Sequence, residues 1–591
     1  MTIAVHVTHE AVHKMGGIGT VLEGLITSPR YQEEVSRTIL VGPLFEARLS
    51  AKDMLGPGGK LIYSSLDGLD EIDGQRRFGR VCKRYGVGLV YGTRVLREEW
   101  TGRSVDVEVL LVDVVNMNPG PLNEYKGQLH ERFSLHSDRY EFIWDFEQYL
   151  RLALPGFEAL RCLVGEEPKD PVVIFGHEFM GVPMALRALM EGDPRFAAVF
   201  YAHEVATSRR IVEDHPAHDT MFYNVMDKAG LDGVYLEDVF GSQDGFFKHG
   251  LVEASRFCDS VFAVGQFVMQ ELKFLSKEYA AKEIDLVPNG IPAMDASEEE
   301  LRRSRGLLQD YAEELLGWRP TYVFSHVARL VNSKAFWRDV DVLGQMDRRL
   351  LESGESAVLY LLSTEGAVRS TEDVMRMERD YGWPWAHRVG YPDLTGSEIG
   401  LNWFLQDYNR RSRATKIVFV NQFGWDRARC GERMPEEMSF VDLRKGSDVE
   451  FGQSIYEPFG ISQLEPLTFG AICVPSSVCG CVAFAQQQGA EQARESLVVA
   501  DFVSMNESAA SPGILLKLSS EEFDKVGKAT VRSVAEQLVD RLRRSNEMHT
   551  RPAGNAYEFA KRMSWDTIVA DFFIPAVHKA AKRAAERVRP K

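Results

Sequence analysis

At 591 residues the chain is too long for one hydrophobic core, and length alone favours more than one domain. Hydrophobic residues make up 45% and charged residues 26%, ordinary for a soluble globular enzyme. A net charge of −17 argues against a nucleic-acid or anionic-membrane surface as main partner, so a polyanionic ligand must meet a local cationic pocket.

Short apolar, β-rich runs alternate with segments of helical period. Ile3–Val7, Thr38–Val41, Val107–Val112, Val172–Phe175, Ala197–Tyr201 and Ser260–Val264 are predicted as buried parallel strands, with helices such as Gly181–Met190 and Leu251–Phe257 between them. A charged segment, 296–317, interrupts the pattern and predicts a hinge near 293–320. A second set of strands follows at Tyr322–Val327, Ala357–Leu362, Ile417–Val420 and Ala471–Val474. The alternation predicts two doubly wound α/β domains whose ligands sit at the carboxyl ends of the strands. Residues 373–437 are dense in charge, Trp and Arg and are expected to elaborate the second domain. Trp565–Val588 is expected to be helical, and the basic run His578–Lys591 to be a solvated helix face.

The seven cysteines are odd in number and sparse, which favours a reducing compartment over a disulfide framework. Cys479-Gly480-Cys481 has no partner pair nearby and is expected to serve packing. The chain opens without a basic start leading into an apolar run, and no stretch nears the ~18 apolar residues of a membrane span. A cytoplasmic location is the expectation.

Several motifs point to phosphate and sugar chemistry. Lys14-Met15-Gly16-Gly17 follows the first strand, where glycines let backbone amides approach a phosphate and Lys14 adds a point charge. Overlapping it, His9-Glu10-Ala11-Val12-His13 matches the zinc motif HExxH, but its position between a strand and two glycines disfavours the regular helix that motif needs. His177 and His203 both follow predicted strands, with Arg209 six residues after His203. Arg329 and Lys334 lie just past the strand Tyr322–Val327, five apart, and suit a diphosphate leaving group. Asp339-Val340-Asp341 reads as the polar side of a helix rather than a metal site. The most specific signal is Glu457–Glu465: two carboxylates eight apart around a Pro-Phe-Gly turn, with amides of Phe459 and Gly460 open to hydroxyls or phosphate.

These residues together resemble the glycogen synthases. Lys14–Val21 followed by Val41-Gly42-Pro43, His177–Met180, His203 with Arg209, Phe222-Tyr223-Asn224, Val287–Gly290 and Met563-Ser564-Trp565 are similar to the animal and fungal type, and Glu457–Glu465 to the family's paired-glutamate signature. The resemblance implies a GT-B fold: two Rossmann-like domains facing a cleft, an acceptor-side domain at 1–295, a nucleotide-sugar domain at 320–560, and a C-terminal helix at 561–591 crossing back to the first. It implies retaining transfer of glucose from UDP- or ADP-glucose to the non-reducing end of an α-1,4-glucan, without metal or other cofactor; a homo-oligomer is compatible with it. Position by position, Arg209, Arg329 and Lys334 would grip the donor diphosphate, which Gly16, Gly17 and Lys14 would line. His203 or His177 would contact the glucose, Glu457 would hold the sugar or stabilise the oxocarbenium-like state, and Glu465 the ribose; Phe459, Gly460 and Ser462 complete the donor site. The spacing of Arg329 and Lys334 and the string Gln463-Leu464-Glu465 look more like bacterial and plant synthases, and Ile461 stands where an aromatic residue is usual, which leaves the base open. Another hexose donor, a small acceptor, or a catalytically silent glucan-binding protein are the alternatives.

Overall fold

The computed structural model describes residues 1–14, 16–44, 54–56, 58–72, 74–165, 168–366, 368–505, 511–548 and 553–587. Met15 of the glycine-rich turn and the last residues of the basic run, 588–591, lie outside them. The chain divides into two compact units, one of Met1–Ser208, Ala229–Gly290 and Trp565–Lys591, the other of Arg209–Lys228 and Ile291–Ser564.

Apolar runs flanked by helices build the first unit around β1 (Thr2–Val7), β2 (Val35–Pro43), β3 (Lys60–Ser64), β4 (Leu69–Asp70), β5 (Gly88–Arg97), β6 (Ser104–Asp113), β7 (Val172–His177), β8 (Phe196–Ala202), β9 (Ser260–Ala263) and β10 (Ile284–Leu286). They form a ten-stranded sheet in the order β10-β9-β8-β7-β1-β2-β6-β5-β3-β4. The strands from β10 to β6 pair in parallel. β5 runs antiparallel to β6 and to β3. Strands β1, β7 and β8 are buried along their whole length, which is why they read in sequence as unbroken apolar runs. β3 to β5 carry exposed and half-exposed polar residues and were not legible as apolar runs.

The second unit holds β11 (Tyr322–Val327), β12 (Ala357–Leu362), β13 (Thr415–Val420), β14 (Val449–Gly452) and β15 (Ile472–Pro475), all parallel, in the order β13-β12-β11-β14-β15. Successive side chains enter opposite cores. Phe324, Leu359, Ile417 and Phe419 pack with Val342, Leu343 and Met346 of the helix Phe336–Ser353. Val323, Val358, Tyr360 and Val418 pack with Leu308 and Tyr311 of the helix Glu298–Leu316. Each sheet is therefore doubly wound, and the chain is of the α/β class.

The structure corrects three expectations. The segment expected as a hinge, 293–320, is mostly the helix Glu298–Leu316, capped by Ser297 and Glu300. Its charges alternate with Leu301, Leu308, Tyr311 and Leu315, an apolar stripe at helical spacing that is buried. Arg209–Lys228, expected in the first domain, belongs with the second unit, where Asp219 makes a buried ion pair with Arg338 at 2.7 Å. The basic face of the final helix, Ile574–Glu586, is not left to solvent: Arg583 meets Asp285 at 2.9 Å and Glu283 at 2.6 Å, Lys579 meets Asp285 at 2.7 Å, and Arg587 just beyond meets Asp259 at 3.0 Å. These acids lie on and beside β9 and β10, so the charges match within the first unit. Trp565 packs on two glycines there; a Cβ on Gly24 would stand 2.1 Å from its ring and one on Gly290 2.6 Å.

Candidate functional site

In a doubly wound sheet, loops leave adjacent strands in opposite directions where the winding reverses, and a crevice opens at the carboxyl ends. In the second unit that point lies between β11 and β14. Arg329 and Lys334 follow β11, and Glu457 follows β14. The Lys334 ammonium and the Glu457 carboxylate meet in an ion pair, with side-chain exposures of 17% and 12%, so both are held but reachable. Gln463 Nε2 donates to the same Glu457 oxygen at 3.1 Å, and Cys479 Sγ lies 3.0 Å from Gln463 Oε1. Arg329, five residues before Lys334 in the same segment after β11, is exposed.

Glu465 is not poised like Glu457. The turn Glu457–Gly460 leads into the short helix Ile461–Leu464, which tightens into the 3-10 helix Glu465–Phe469 at Pro466. Gly460 holds φ 94, a conformation that favours glycine. Arg444 donates to one Glu465 oxygen through Nε at 3.1 Å and Nη2 at 2.7 Å, and to the Ser462 carbonyl at 2.7 Å. The same guanidinium lies 2.8 Å from Glu450. Arg444 thus orients the second glutamate, a role with no sequence signal because it comes from a separate helix, Phe440–Gly446. Phe459 and Gly460 are buried, and Ser462 half-buried.

Arg209, also in the second unit, donates to Glu213 at 3.0 Å. Asp339 and Asp341 lie on the helix Phe336–Ser353, but Asp339 is buried and not on a solvated side. Its carboxylate binds His326 Nδ1 at 2.5 Å and Gln453 Nε2 at 3.0 Å. Cys479 and Cys481 are free and buried. The elaborated region 373–437 contributes β13 and lines a cavity of about 910 Å³ with Glu378, Arg379, Arg427 and Arg433; none of the residues singled out in sequence lines it.

In the first unit the winding reverses between β7 and β1. The loop after β1 carries the glycine-rich turn, and its amides are engaged: Gly16 N and Gly19 N both donate to Glu10 Oε2 at 2.9 Å. The carboxylate of Glu10 therefore caps the helix Gly17–Ile26, where a phosphate was expected. Lys14 Nζ donates to Glu23 at 2.7 Å. Gly17 is exposed with open space around it, whereas a Cβ on Gly19 would come within 2.9 Å of Glu10, so Gly19 is the glycine the turn requires. His9, Glu10 and His13 lie in turns, not on a helix. Among the described residues no group of three or more His, Cys, Asp or Glu side chains is arranged to hold a metal.

His177 and His203 come together. His177 Nδ1 lies 2.8 Å from His203 Nε2, and the rings stack at 5.1 Å. On its other side, His177 Nε2 lies 2.9 Å from His6 Nδ1. Burial holds His203 neutral, its pKa lowered to about 3, and burial together with its two neighbours lowers that of His177. Glu178, at φ 57, accepts from the backbone of His203 at 2.5 Å and of Glu204 at 2.7 Å. Burial and the nearby Glu204 raise the pKa of Glu178 well above the usual carboxylate range.

No protein-family model matches the chain, and no curated protein does. Solved structures do. The catalytic domain of starch synthase IV from Arabidopsis thaliana, bound to ADP and acarbose, is similar at 13% identity and TM-score 0.49, covering 99% of each chain. Sucrose-phosphate synthase from Thermosynechococcus elongatus is similar at 12% and TM-score 0.48, again covering 99% of each. A UDP-forming α,α-trehalose-phosphate synthase from Burkholderia vietnamiensis is similar at 13% and TM-score 0.47, covering 99% of this chain and 98% of its own. Among the described residues no helix is long and apolar enough to cross a membrane.

Proposed function

We propose that the protein is a retaining glucosyltransferase of the GT-B fold, moving glucose from UDP- or ADP-glucose to the non-reducing 4-hydroxyl of an α-1,4-glucan. The observation that carries this reading is the pairing of Lys334 with Glu457 where the winding of the second sheet reverses. A cation held against a carboxylate at strand carboxyl ends suits a substrate that joins a sugar to a diphosphate. In the proposed reaction the bond from the anomeric carbon to the diphosphate oxygen breaks as the acceptor oxygen attacks the same face. The departing phosphate oxygen takes the acceptor's proton, and Lys334 and Arg329 stabilise its charge. Glu457 faces the positive charge that develops on the sugar, and Glu465, oriented by Arg444, accepts from ribose hydroxyls. His203 is neutral and serves as a hydrogen-bond partner of the glucose, not as a charged group, while His177, also neutral, has both ring nitrogens engaged and stands behind it. A phosphate contact at Gly16 and Gly17 requires Glu10 to release the amide of Gly16. No metal or other cofactor enters these steps.

The test is turnover of UDP-glucose and ADP-glucose with a maltooligosaccharide. The wild-type chain should release nucleoside diphosphate and lengthen the acceptor. Lys334→Ala and Glu457→Ala should each lower kcat by about 10²-fold or more with folding intact. Near-normal turnover in both variants contradicts the assignment, and transfer only to a small acceptor redirects it to another substrate.

A further inference from the structure

Three more side chains extend the histidine pair. His6 Nδ1 lies 2.9 Å from His177 Nε2, His6 Nε2 lies 3.1 Å from Tyr31 Oη, and Tyr31 Oη lies 3.1 Å from Thr38 Oγ1. With His177 and His203 this makes an unbroken chain from β2 through β1 and β7 to the end of β8. His6, Tyr31 and His177 are buried. Phe175 stacks on His6 at 4.8 Å and Tyr201 on His203 at 4.5 Å, which fixes the ring planes. Among the described residues no hydrogen bond reaches His203 Nδ1, where the chain ends.

We propose that this chain is polarised in one direction, every ring carrying its proton on Nδ1, so that His203 presents an N–H donor and not a lone pair. The argument is one of counting. Each N···N contact needs one proton, and a neutral imidazole has one to give. In a fully bonded chain of neutral rings, the tautomer of one ring therefore sets the tautomers of all three. Only two arrangements remain, and Tyr31 chooses between them. In one, the phenol donates to His6 Nε2 and accepts from Thr38; in the other, it accepts from His6 and donates to Thr38. A phenol, with an ordinary pKa near 10, is a far better donor than a neutral imidazole. An imidazole nitrogen, with an ordinary pKa near 6.5, is a far better acceptor than an alcohol. The strong donor and strong acceptor meet only in the first arrangement. Tyr31, His6 and His177 are then positioning residues for His203. Resting on the glucosyl-transfer reading, the N–H at His203 would meet a hydroxyl oxygen of the transferred sugar, and His203 would not serve as its base.

The test is made on the full-length, ligand-free protein labelled with ¹⁵N-histidine, with resonances assigned by single substitutions. Long-range ¹H–¹⁵N correlation distinguishes the protonated from the bare nitrogen of each ring. His6, His177 and His203 should all be protonated on Nδ1; an Nε2 proton on any of the three overturns the proposal. Tyr31→Phe removes the donor and should shift at least one ring to Nε2 protonation; an unchanged pattern overturns the role of Tyr31. Thr38→Val leaves the phenol as donor, should change nothing, and tests the same point should Tyr31→Phe fail to fold. Because no sugar or nucleotide is present, the outcome is independent of the turnover test above.

Discussion

At the scale of single residues, burial does more than charge pairing to set protonation. His6 is lowered to about 3 by burial first and by its proximity to His203 second, and His177 is lowered by burial first and then by His203 and His6. Both stay neutral when folded and bind protons when unfolded below about pH 6.5. Their contribution to stability is present above pH 6.5 and falls as pH drops towards the folded values. Each adds a slope of about 1.4 kcal/mol per pH unit in that window. Denaturant unfolding between pH 7 and 5.5 should show this loss, and His6→Phe should flatten it. A slope that His6→Phe does not change would contradict neutral burial. Arg444→Lys keeps the charge near Glu450 and Glu465 but loses the two-nitrogen grip on Glu465. On the proposed reading it should raise KM for the sugar nucleotide about tenfold or more and lower kcat less; an unaltered KM would remove Glu465 from the ribose site.

At the scale of elements, close approach decides more than propensity. The helix Gly17–Ile26 passes the Trp565 ring at Gly24, where a Cβ would stand 2.1 Å from a rigid indole. Gly24→Ala should therefore destabilise the first unit by about 1–3 kcal/mol despite alanine's better helix propensity. Gly527→Ala, in the helix Ser520–Met548 with open space around it, should stabilise by up to about 1 kcal/mol. Thermal melts of the two variants should move in opposite directions. The strands buried on both faces were legible because burial demands continuous apolar runs, and β1, β7, β8, β11 and β12 coincide with them closely. The paired glutamates were legible because Pro and Gly mark their turn. What was not legible comes from distant partners. Glu10 caps the very turn that looked built for phosphate, Arg444 grips Glu465, and His6 joins His177 across 171 residues. Asp339 looked solvated from its helical spacing, yet it serves His326 and Gln453 from other segments.

At the scale of the whole chain, two doubly wound sheets each gather their candidate residues where the winding reverses. The final helices belong to the first unit, clasped by Asp285, Glu283 and Asp259 and by the glycines beneath Trp565. The central claim is that Lys334 and Glu457 act on the bond between a sugar and a diphosphate. The most direct measurement is NMR of the full-length protein with UDP-glucose or ADP-glucose and a maltooligosaccharide, following nucleotide release and the anomer formed. The account predicts stoichiometric nucleoside diphosphate, a new α-linked glucose, and loss of both in Lys334→Ala. Product of inverted anomeric configuration, or no nucleotide release from either donor by a folded protein, would contradict it.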